Sequence, residues 1–348
     1  MSKKKWVLLI VVIVFLGAGL IRYLTFDFDD FIYNIVKKEM AKDIRDSLQR
    51  DGIEILLAGT GSPRHAKNRA QPCLGIIGAG QFLLFDTGHG CTGSLSNMRA
   101  PLSQLSVVFL THLHSDHMSG LGEIINNSWV YGRKNKLQVY GPPGTSSLLD
   151  AYAKVYKEDI EDRVAHLGSD KLDPTNAIAE PHIIAVENED IQTVYEKNGL
   201  VVKAFQVEHP QWKNSYGFRI EYAGSSLVLS GDTRFSQRLI RHAKKADILI
   251  HEAFNKRMLD AAGRAADDLK IGLSSKTINL IQETHTSTLE AATVAKEAKV
   301  QKLVLNHIIP PLPNVITEKI FVLGMDDIFD GEIILAEDGM RLQMPPKK

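Results

Sequence analysis

The fold of this 348-residue chain is limited most by six short apolar segments, each of which runs into polar residues. The segments contain mostly Val, Ile, Leu and Phe, which is typical of strands buried on both faces of a sheet. They are 82–85 before Asp86, 107–110 before Thr111 and His112, 201–207 before Glu208 and His209, 227–229 before Ser230, Gly231 and Asp232, 248–250 before His251 and Glu252, and 303–305 before Asn306 and His307. Helical periodicity lies between several of them, at 147–156, 237–245 and 287–299. The alternation predicts a layered α/β architecture with sheet inside and helices outside.

The polar residues that follow these segments are expected to lie together. Strands of an open α/β sheet bring their carboxyl ends to one edge, where such proteins usually place their sites. Any one of these His or Asp residues, taken alone, is better explained as a cap or a turn residue. Six repeats of the same arrangement favour one shared site.

The densest cluster of candidate ligands is His112-Leu113-His114-Ser115-Asp116-His117. In an extended stretch residues two apart point the same way, so His112 and His114 can bind one ion. Asp116 and His117 follow in a turn and can face a second ion. Imidazole nitrogen and carboxylate oxygen suit zinc and similar divalent cations. The motif alone has too few ligands for two closed sites, and the other strand ends offer His209, Asp232 and His307.

Charge and cysteine content exclude other classes of protein. Lys plus Arg and Asp plus Glu each total 41, so the net charge with neutral His is zero. A general polyanion binder would carry a basic excess. Two cysteines, Cys73 and Cys91, are too few for a disulfide framework or a four-thiolate zinc site. The sequence leaves open whether these two cysteines pair.

The amino terminus has the pattern of a membrane signal. Lys3, Lys4 and Lys5 precede an uncharged run over 6–21, which Arg22 closes. We predict a membrane anchor over 1–24; a cleaved signal peptide is the alternative. Either would place the catalytic domain, residues 51–348, in the periplasm or the exterior, anchored or secreted. Between them, residues 25–50 are predicted to form a linking amphipathic helix with Phe31, Ile32, Ile35, Val36 and Met40 on its apolar face.

The complete ligand set resembles the metallo-β-lactamase superfamily. The match includes Asp86 in Phe85-Asp86-Thr87-Gly88 and covers roughly residues 51 to 340. The resemblance implies a four-layer αββα sandwich with two metal ions, zinc or alternatively manganese or iron, in the cleft between the sheets. By residue matching, the first ion would be held by His112, His114 and His209, the second by Asp116, His117 and His307, and both by a bridging Asp232. Asp86 would orient ligands through hydrogen bonds.

Three further motifs resemble the branch that contains ribonuclease Z and the zinc-type arylsulfatases. They are Leu57-Ala58-Gly59-Thr60-Gly61-Ser62-Pro63, His251-Glu252-Ala253-Phe254 and His285-Thr286-Ser287-Thr288. The bridging Asp232 argues against antibiotic hydrolysis, since β-lactamases generally lack it. Ser287 and Glu290 fit a capping box, which places His285 beside a helix amino terminus, a natural anion site. We therefore expect His285, supported by Glu252, to bind the substrate oxyanion or protonate the leaving group; an exposed loop histidine is the alternative.

Within that branch the sequence favours an arylsulfatase-like enzyme. We find no Gly/Pro- and Lys-containing arm of the kind with which ribonuclease Z grips tRNA, and residues 180–196 are acidic. Trp129 and Tyr131 are candidates for an apolar wall around an aryl group, with two core aromatics as the equal alternative. Trp212 and Tyr216 have the same ambiguity. His65, His89, His166, His182 and His242 match no ligand position.

We therefore predict a metal-dependent hydrolase of ester bonds with two zinc ions and a metal-bridging hydroxide. Its expected substrates are small sulfate or related esters, with Asp116, His285 and Glu252 as catalytic candidates. The alternatives are a ribonuclease Z-like phosphodiesterase, a lactonase and a membrane-tethered metal-binding module without turnover. We do not expect nucleic acid as a partner, and a homodimer is left open.

Overall fold

The computed structural model describes residues 27–41, 48, 51–186, 190–210, 212–270 and 275–347. It divides the chain into two units, residues 1–45 and 46–348, and each is described by itself. In the first unit a single described helix, α1 (Phe28–Ala41), begins where Asp27 Oδ1 accepts hydrogen bonds from the backbone nitrogens of Asp29 and Asp30. Its apolar side chains Phe31 and Ile32 are about half exposed, at 49% and 54%. The helix lies within the predicted linking segment 25–50.

The membrane part of our fold prediction is corrected. No helix in the described part of the chain is long and apolar enough to span a bilayer. Residues 1–24, on which the predicted anchor or signal segment falls, lie outside the described residues. The fold that the structure supports is the αββα sandwich alone.

Two seven-stranded sheets form the centre of the second unit. The first has the order β14-β1-β2-β3-β4-β5-β6 and the second the order β13-β12-β11-β10-β9-β8-β7. In each sheet three strand pairs are antiparallel and three are parallel. The strands are β1 (Ile53–Gly59), β2 (Cys73–Gly78), β3 (Gln81–Phe85), β4 (Leu105–Phe109), β5 (Leu137–Gly141), β6 (Ala179–Ile183), β7 (Ile191–Lys197), β8 (Leu200–Gln206), β9 (Tyr216–Tyr222), β10 (Ser225–Leu229), β11 (Ile248–Phe254), β12 (Lys302–Ile309), β13 (Glu332–Leu335) and β14 (Met340–Met344).

The apolar core between the sheets lies next to the strand ends that are followed by polar residues. Strands β3, β10 and β11 are buried along their whole length, as the apolar segments predicted, and so is β2. Phe85 and Phe109 stack with ring centroids 4.8 Å apart, and Phe218 meets Phe85 edge-on from the other sheet at 5.3 Å. Since these rings immediately precede or face the polar strand ends, they give the site a rigid apolar floor.

Helices cover both outer faces of the sandwich. Those over the first sheet pack on an apolar cluster that includes Leu84, Val108 and Leu121, and those over the second on one that includes Leu249, Ala295 and Leu303. The helices of this unit are α2 (Cys91–Asn97), α3 (Ser115–Met118), α4 (Leu121–Val130), α5 (Thr145–Val155), α6 (Lys157–Leu167), α7 (Gln237–His242), α8 (Lys256–Leu269), α9 (Ser275–Thr284), α10 (Thr288–Ala298) and α11 (Val315–Phe321).

Local chemistry explains where several of these helices begin. The capping box predicted at Ser287 and Glu290 is confirmed, because each residue bonds the backbone nitrogen of the other at the start of α10. Ser236 and Asn255 cap α7 and α8 in the same way through side-chain oxygens. Cys73 and Cys91 form a disulfide that links the start of β2 to the start of α2, which the sequence had left open.

Candidate metal centre

Parallel pairing brings the predicted ligands to one edge of each sheet. β3 and β4 run parallel, so Asp86 and His112 emerge side by side. β10, β11 and β12 are also parallel, and they deliver Asp232, Glu252 and His307 from the facing sheet. The seven predicted ligands fall into groups whose ligand atoms lie within 4.8 Å of one another. Six of the seven are buried and His114 is half-buried.

The first group contains His112, His114, His209 and Asp232. His112 Nε2 lies 2.8 Å from His114 Nδ1, and His209 Nε2 lies 3.4 Å from the same atom. Asp232 Oδ2 is 3.9 Å from His112 Nε2. Three imidazole nitrogens and one carboxylate oxygen thus converge on one point.

The second group contains Asp116, His117 and His307. His117 Nε2 and His307 Nε2 lie 3.4 Å and 3.3 Å from Asp116 Oδ2. The same two nitrogens lie 3.2 Å and 3.3 Å from Asp232 Oδ2. A single oxygen of Asp232 therefore faces both groups, which is the position of the bridging ligand in our sequence analysis.

Neighbouring acceptors leave one nitrogen of each of three histidines free to bind a cation. His117 Nδ1 donates to Asp86 Oδ2 at 2.8 Å, so Nε2, which faces the second group, is the nitrogen that would bind a cation. His209 Nδ1 donates to the carbonyl oxygen of Thr284 at 3.1 Å, which frees its Nε2. His112 Nδ1 lies 3.0 Å from Thr111 Oγ1, a hydroxyl that donates to Asp86. Fixed tautomers of this kind are characteristic of metal-binding histidines.

The buried polar atoms at this centre suit a divalent cation. His117 Nε2 is buried, and its contacts with Asp116 Oδ2 at 3.4 Å and Asp232 Oδ2 at 3.2 Å do not have hydrogen-bond geometry. The carboxylates of Asp116 and Asp232 are buried, and over the described ranges neither pairs with a lysine or an arginine. Buried charges require a counter-charge, and nitrogen and oxygen donors in this number are those that zinc prefers.

The electrostatics of the metal-free centre divide its histidines into two kinds. Burial, reinforced by neighbouring histidines, lowers the pKa of His112 well below its usual range and that of His114 to about 4. Burial also opposes a charge on His117, yet Asp232, Asp116 and Asp86 together raise its pKa well above the usual value. Burial works against the ionised form of Asp232, but His117 and His307 hold its pKa well below the ordinary range.

His307 is directed into the site by an irregularity in β12. Glu252 pairs with Asn306 and Ala253 pairs with Ile308, so His307 is the extra residue between two registers. Its φ of 47° lies in the left-handed region, as does the φ of 58° at Asp86. Such strained positions recur where a side chain must be aimed at a site. The sequence predicted that β11 ends at His251 and Glu252 and that β12 ends at Asn306 and His307. Both strands instead continue past these residues, to Phe254 and Ile309.

His285 and Glu252 form a pair beside the ligand groups. His285 Nδ1 donates to Glu252 Oε1 at 2.9 Å, and Thr233 N donates to the same oxygen at 3.0 Å. Burial opposes a charge on His285, but the Glu252 carboxylate raises its pKa to about 9. Its side chain is 12% accessible, and its ring centroid lies 5.4 Å from that of His209 and 5.5 Å from that of His307. His285 is therefore a largely buried side chain beside the cluster, not an exposed loop residue.

Other predicted residues lie elsewhere. Trp129 is buried with Leu172 and Ala177, and Tyr131 is 60% exposed on the surface, so they do not form an aryl wall. Tyr216 belongs to the core between the sheets. Trp212, in contrast, contacts the rings of His112 and His114.

Thr111 was missed by the sequence analysis. Its backbone nitrogen and hydroxyl both bond Asp86, and the hydroxyl also contacts His112. The available signal was its place between a buried strand and the first ligand, which does not distinguish it from a turn residue.

Comparison with known proteins relates this geometry to a family. The family described as "Anti-Pycsar protein Apyc1" matches residues 53–262. Ribonuclease Z of Mycobacterium marinum is 33% identical over 295 residues, which cover 84% of this chain and 99% of that enzyme. The crystal structure of the metallo-β-lactamase fold protein YhfI from Bacillus subtilis superposes with a TM-score of 0.59 at 20% identity, over 84% of this chain and 100% of that one. The crystal structure of human tRNase Z, short form, superposes with a TM-score of 0.58 at 22% identity, over 84% of this chain and 99% of that one.

Proposed function

Because this chain belongs to the ribonuclease Z-like branch of the metallo-β-lactamase superfamily and to the family of anti-Pycsar protein Apyc1, we propose that it is a metal-dependent phosphodiesterase that cleaves RNA. The ribonuclease Z relatives favour the alternative of our sequence analysis over the arylsulfatase-like interpretation. They also argue against our expectation that nucleic acid is not a partner. The features that suggested an aryl wall, Trp129 and Tyr131, lie in a core cluster and on the surface.

The observation that supports this proposal most is the sharing of Asp232 Oδ2 by two ligand groups. Its distances to His117 and His307 in one group and to His112 in the other support a ligand shared by two proposed cations. We propose His112, His114 and His209 as ligands of the first ion and Asp116, His117 and His307 as ligands of the second. Two zinc ions bound there would activate water and withdraw charge from a phosphodiester.

The protein's own groups would hold the substrate and manage its proton. Glu252 keeps the imidazole of His285 oriented through Nδ1, so Nε2 remains to donate a hydrogen bond or a proton. In this proposal the cation of His285 attracts the anionic phosphodiester and protonates the leaving oxygen. Glu252 itself is held by Thr233 N, which makes it a positioning residue for His285.

A second candidate substrate is a small nucleotide phosphodiester. The described residues between His117 and His209 include helices α4, α5 and α6 and strands β5 to β8. Acidic side chains in this stretch, such as Glu180 and Asp190, would repel a long polyanion. Cleavage of a dinucleotide without cleavage of a pre-tRNA would favour this second candidate.

The test is hydrolysis by the purified, zinc-loaded full chain of a pre-tRNA, a dinucleotide, bis(p-nitrophenyl) phosphate and an aryl sulfate. We expect cleavage of the phosphodiesters and no cleavage of the sulfate. The Asp232→Asn variant should cleave the phosphodiesters at least about a thousandfold more slowly. His285→Ala should lose about a hundredfold or more through its proton-transfer role. The matched control is His166→Ala, an exposed histidine on α6, which should retain full activity. Sulfate cleavage without phosphodiester cleavage would overturn the proposal.

A further inference from the structure

Trp212 is a large aromatic side chain at the rim of the first ligand group. Its ring centroid lies 4.6 Å from that of His114 and 5.9 Å from that of His112, with interplanar angles of 75° and 73°. Its backbone nitrogen donates to the carbonyl oxygen of His209 at 2.9 Å. Trp212 therefore contacts all three histidines of that group, His112 and His114 through its ring and His209 through its backbone nitrogen.

Core packing does not account for Trp212. Trp129 provides a comparison within the same chain, since it is buried and its indole Nε1 donates to the carbonyl oxygen of Asp173. Trp212 is partly exposed and belongs to none of the apolar clusters formed by the described residues. Across the same residues its Nε1 makes no hydrogen bond, and it is not among the buried unpaired atoms, so this N–H is accessible. An apolar face and a free donor beside a polar centre are the elements of a ligand pocket.

We propose that Trp212 is the aromatic wall of the substrate pocket and stacks on the nucleobase next to the phosphodiester that is cleaved. This inference rests on the proposed phosphodiesterase function and adds to it a residue that contacts the base beside the scissile bond. An indole stacks on any base because every base has a π-face, and its free N–H can donate to a base or phosphate oxygen. The wall therefore selects for nucleotides over other phosphodiesters without selecting strongly among bases.

A role in holding the ligand rings would have different consequences. If the indole served only to orient His112 and His114, its loss would lower metal content and slow every substrate equally. A stacking wall acts on the substrate instead, so its loss raises KM for base-carrying diesters and leaves metal content unchanged.

The experiment compares two chromogenic diesters with the same leaving group in the zinc-loaded full chain. These are thymidine 5′-(p-nitrophenyl phosphate), which carries a base, and methyl p-nitrophenyl phosphate, which does not. For Trp212→Leu we expect KM for the thymidine diester to rise about tenfold or more, with kcat and bound zinc unchanged. The base-free diester should change less than twofold, and Trp212→Phe should fall between wild type and Trp212→Leu. The control is Tyr131→Leu, a surface aromatic away from the centre, with no effect on either.

A binding measurement keeps this inference separate from the proposed function. Titration of the zinc-loaded chain with thymidine 5′-monophosphate and with ribose 5-phosphate requires no turnover. We expect Trp212→Leu to weaken binding of the first about tenfold and to leave the second unchanged. Equal losses for both ligands, loss of zinc, or no binding of the nucleotide by the wild type would overturn the stacking wall. Failure of the wild type to cleave either diester would instead contradict the phosphodiesterase proposal.

Discussion

Asp86 shows how one side chain can set the state of several others. Its carboxylate accepts from the backbone and hydroxyl of Thr111 and from Nδ1 of His117. It thereby fixes the tautomer of His117 and, through Thr111, the position of His112. A buried carboxylate in this position acts on both ligand groups without being a ligand in either.

Replacement of Asp86 by Asn should weaken metal binding. The amide can donate to His117 Nδ1, which would move the proton to Nε2 and remove the lone pair that faces the second group. We expect the affinity for the second zinc ion to fall about tenfold to a hundredfold. Competition with a chelating dye measures this affinity. Asp159→Asn, which alters a half-exposed ion pair with Arg163, is the control, and equal zinc affinities in the two variants would contradict the role of Asp86.

His251 should make stability depend on pH. It is fully buried, its Nδ1 bonds the carbonyl oxygen of Glu252, and burial lowers its pKa below the usual range. In the unfolded chain His251 therefore binds a proton near pH 6.5, whereas in the folded chain it stays neutral to a lower pH. Its contribution to the free energy of unfolding is present above pH 6.5 and is lost as the pH falls below that value.

The measurement is chemical denaturation of the full chain between pH 7.5 and pH 5. The contribution of His251 to the loss amounts to at most about 1.4 kcal/mol per pH unit. His251→Asn retains a donor near the position of Nδ1 and should have a shallower slope below pH 6.5. An unchanged slope in this variant would show that His251 does not contribute.

Among single residues, the sequence predicted those His and Asp side chains whose residue type and spacing already indicate a metal ligand. The His-x-His-x-Asp-His motif and the strand-end pattern led to all seven side chains that the structure brings together. Thr111 escaped because a threonine after a strand is common in turns, and Trp212 was left ambiguous because a tryptophan near a histidine is common in cores. Only the tertiary contacts of these two residues reveal what they do.

Among the elements, α4 and the residues after it explain Trp129 and Tyr131, for which the sequence left an aryl wall and two core aromatics as equal alternatives. Trp129 anchors the helix in a core cluster, and Arg133 reaches back to its end. Arg133 Nε donates to Ser128 Oγ at 2.9 Å and Nη2 donates to the carbonyl oxygen of Ile125 at 3.1 Å. Burial lowers the pKa of Arg133 to about 10, which still leaves it charged at neutral pH and suited to a helix carboxyl terminus.

Loss of this cap should destabilise the fold without touching catalysis. We expect Arg133→Met to lower the free energy of unfolding by roughly 2–4 kcal/mol, because buried carbonyl groups lose a charged donor. Denaturant titration of the full chain gives this value, with exposed Arg163→Met as the matched control. The kcat of folded Arg133→Met should equal that of the wild type. A fall in kcat with unchanged stability would instead indicate a role near the substrate.

The sequence pattern located the helices and strands well, but it did not always locate their ends. The segments 147–156 and 287–299 correspond to α5 and α10 with shifts of one or two residues. The continuation of β11 and β12 past Glu252 and His307 was missed, because the register shift at His307 depends on pairing between distant segments. Periodicity along the chain contains no information on such a shift.

For the whole molecule, a disulfide encloses part of the site. The bond between Cys73 and Cys91 closes a loop with a sequence separation of 18 that contains β3 and Asp86.

The predicted location in the periplasm or exterior, the domain boundaries at 24 and 50 and the homodimer stay predictions. The αββα sandwich was predictable because it followed from the resemblance that the ligand motifs established.

Removal of the disulfide should lower stability more than activity. A loop of this size predicts a loss of about 3 kcal/mol in the double variant Cys73→Ser/Cys91→Ser, since the unfolded chain gains freedom. Thermal unfolding under non-reducing conditions, with and without prior reduction of the wild type, measures the effect. Identical unfolding of the oxidised wild type and the double variant would contradict a stabilising bond.

The central claim is that seven side chains from both sheets hold two cations that share Asp232. Anomalous diffraction at the zinc edge, from crystals of the zinc-loaded full chain, tests this most directly. We expect two zinc peaks, one bounded by His112, His114 and His209 and the other by Asp116, His117 and His307, with Asp232 between them. A single peak, or zinc bound away from these residues while the sandwich is intact, would contradict it.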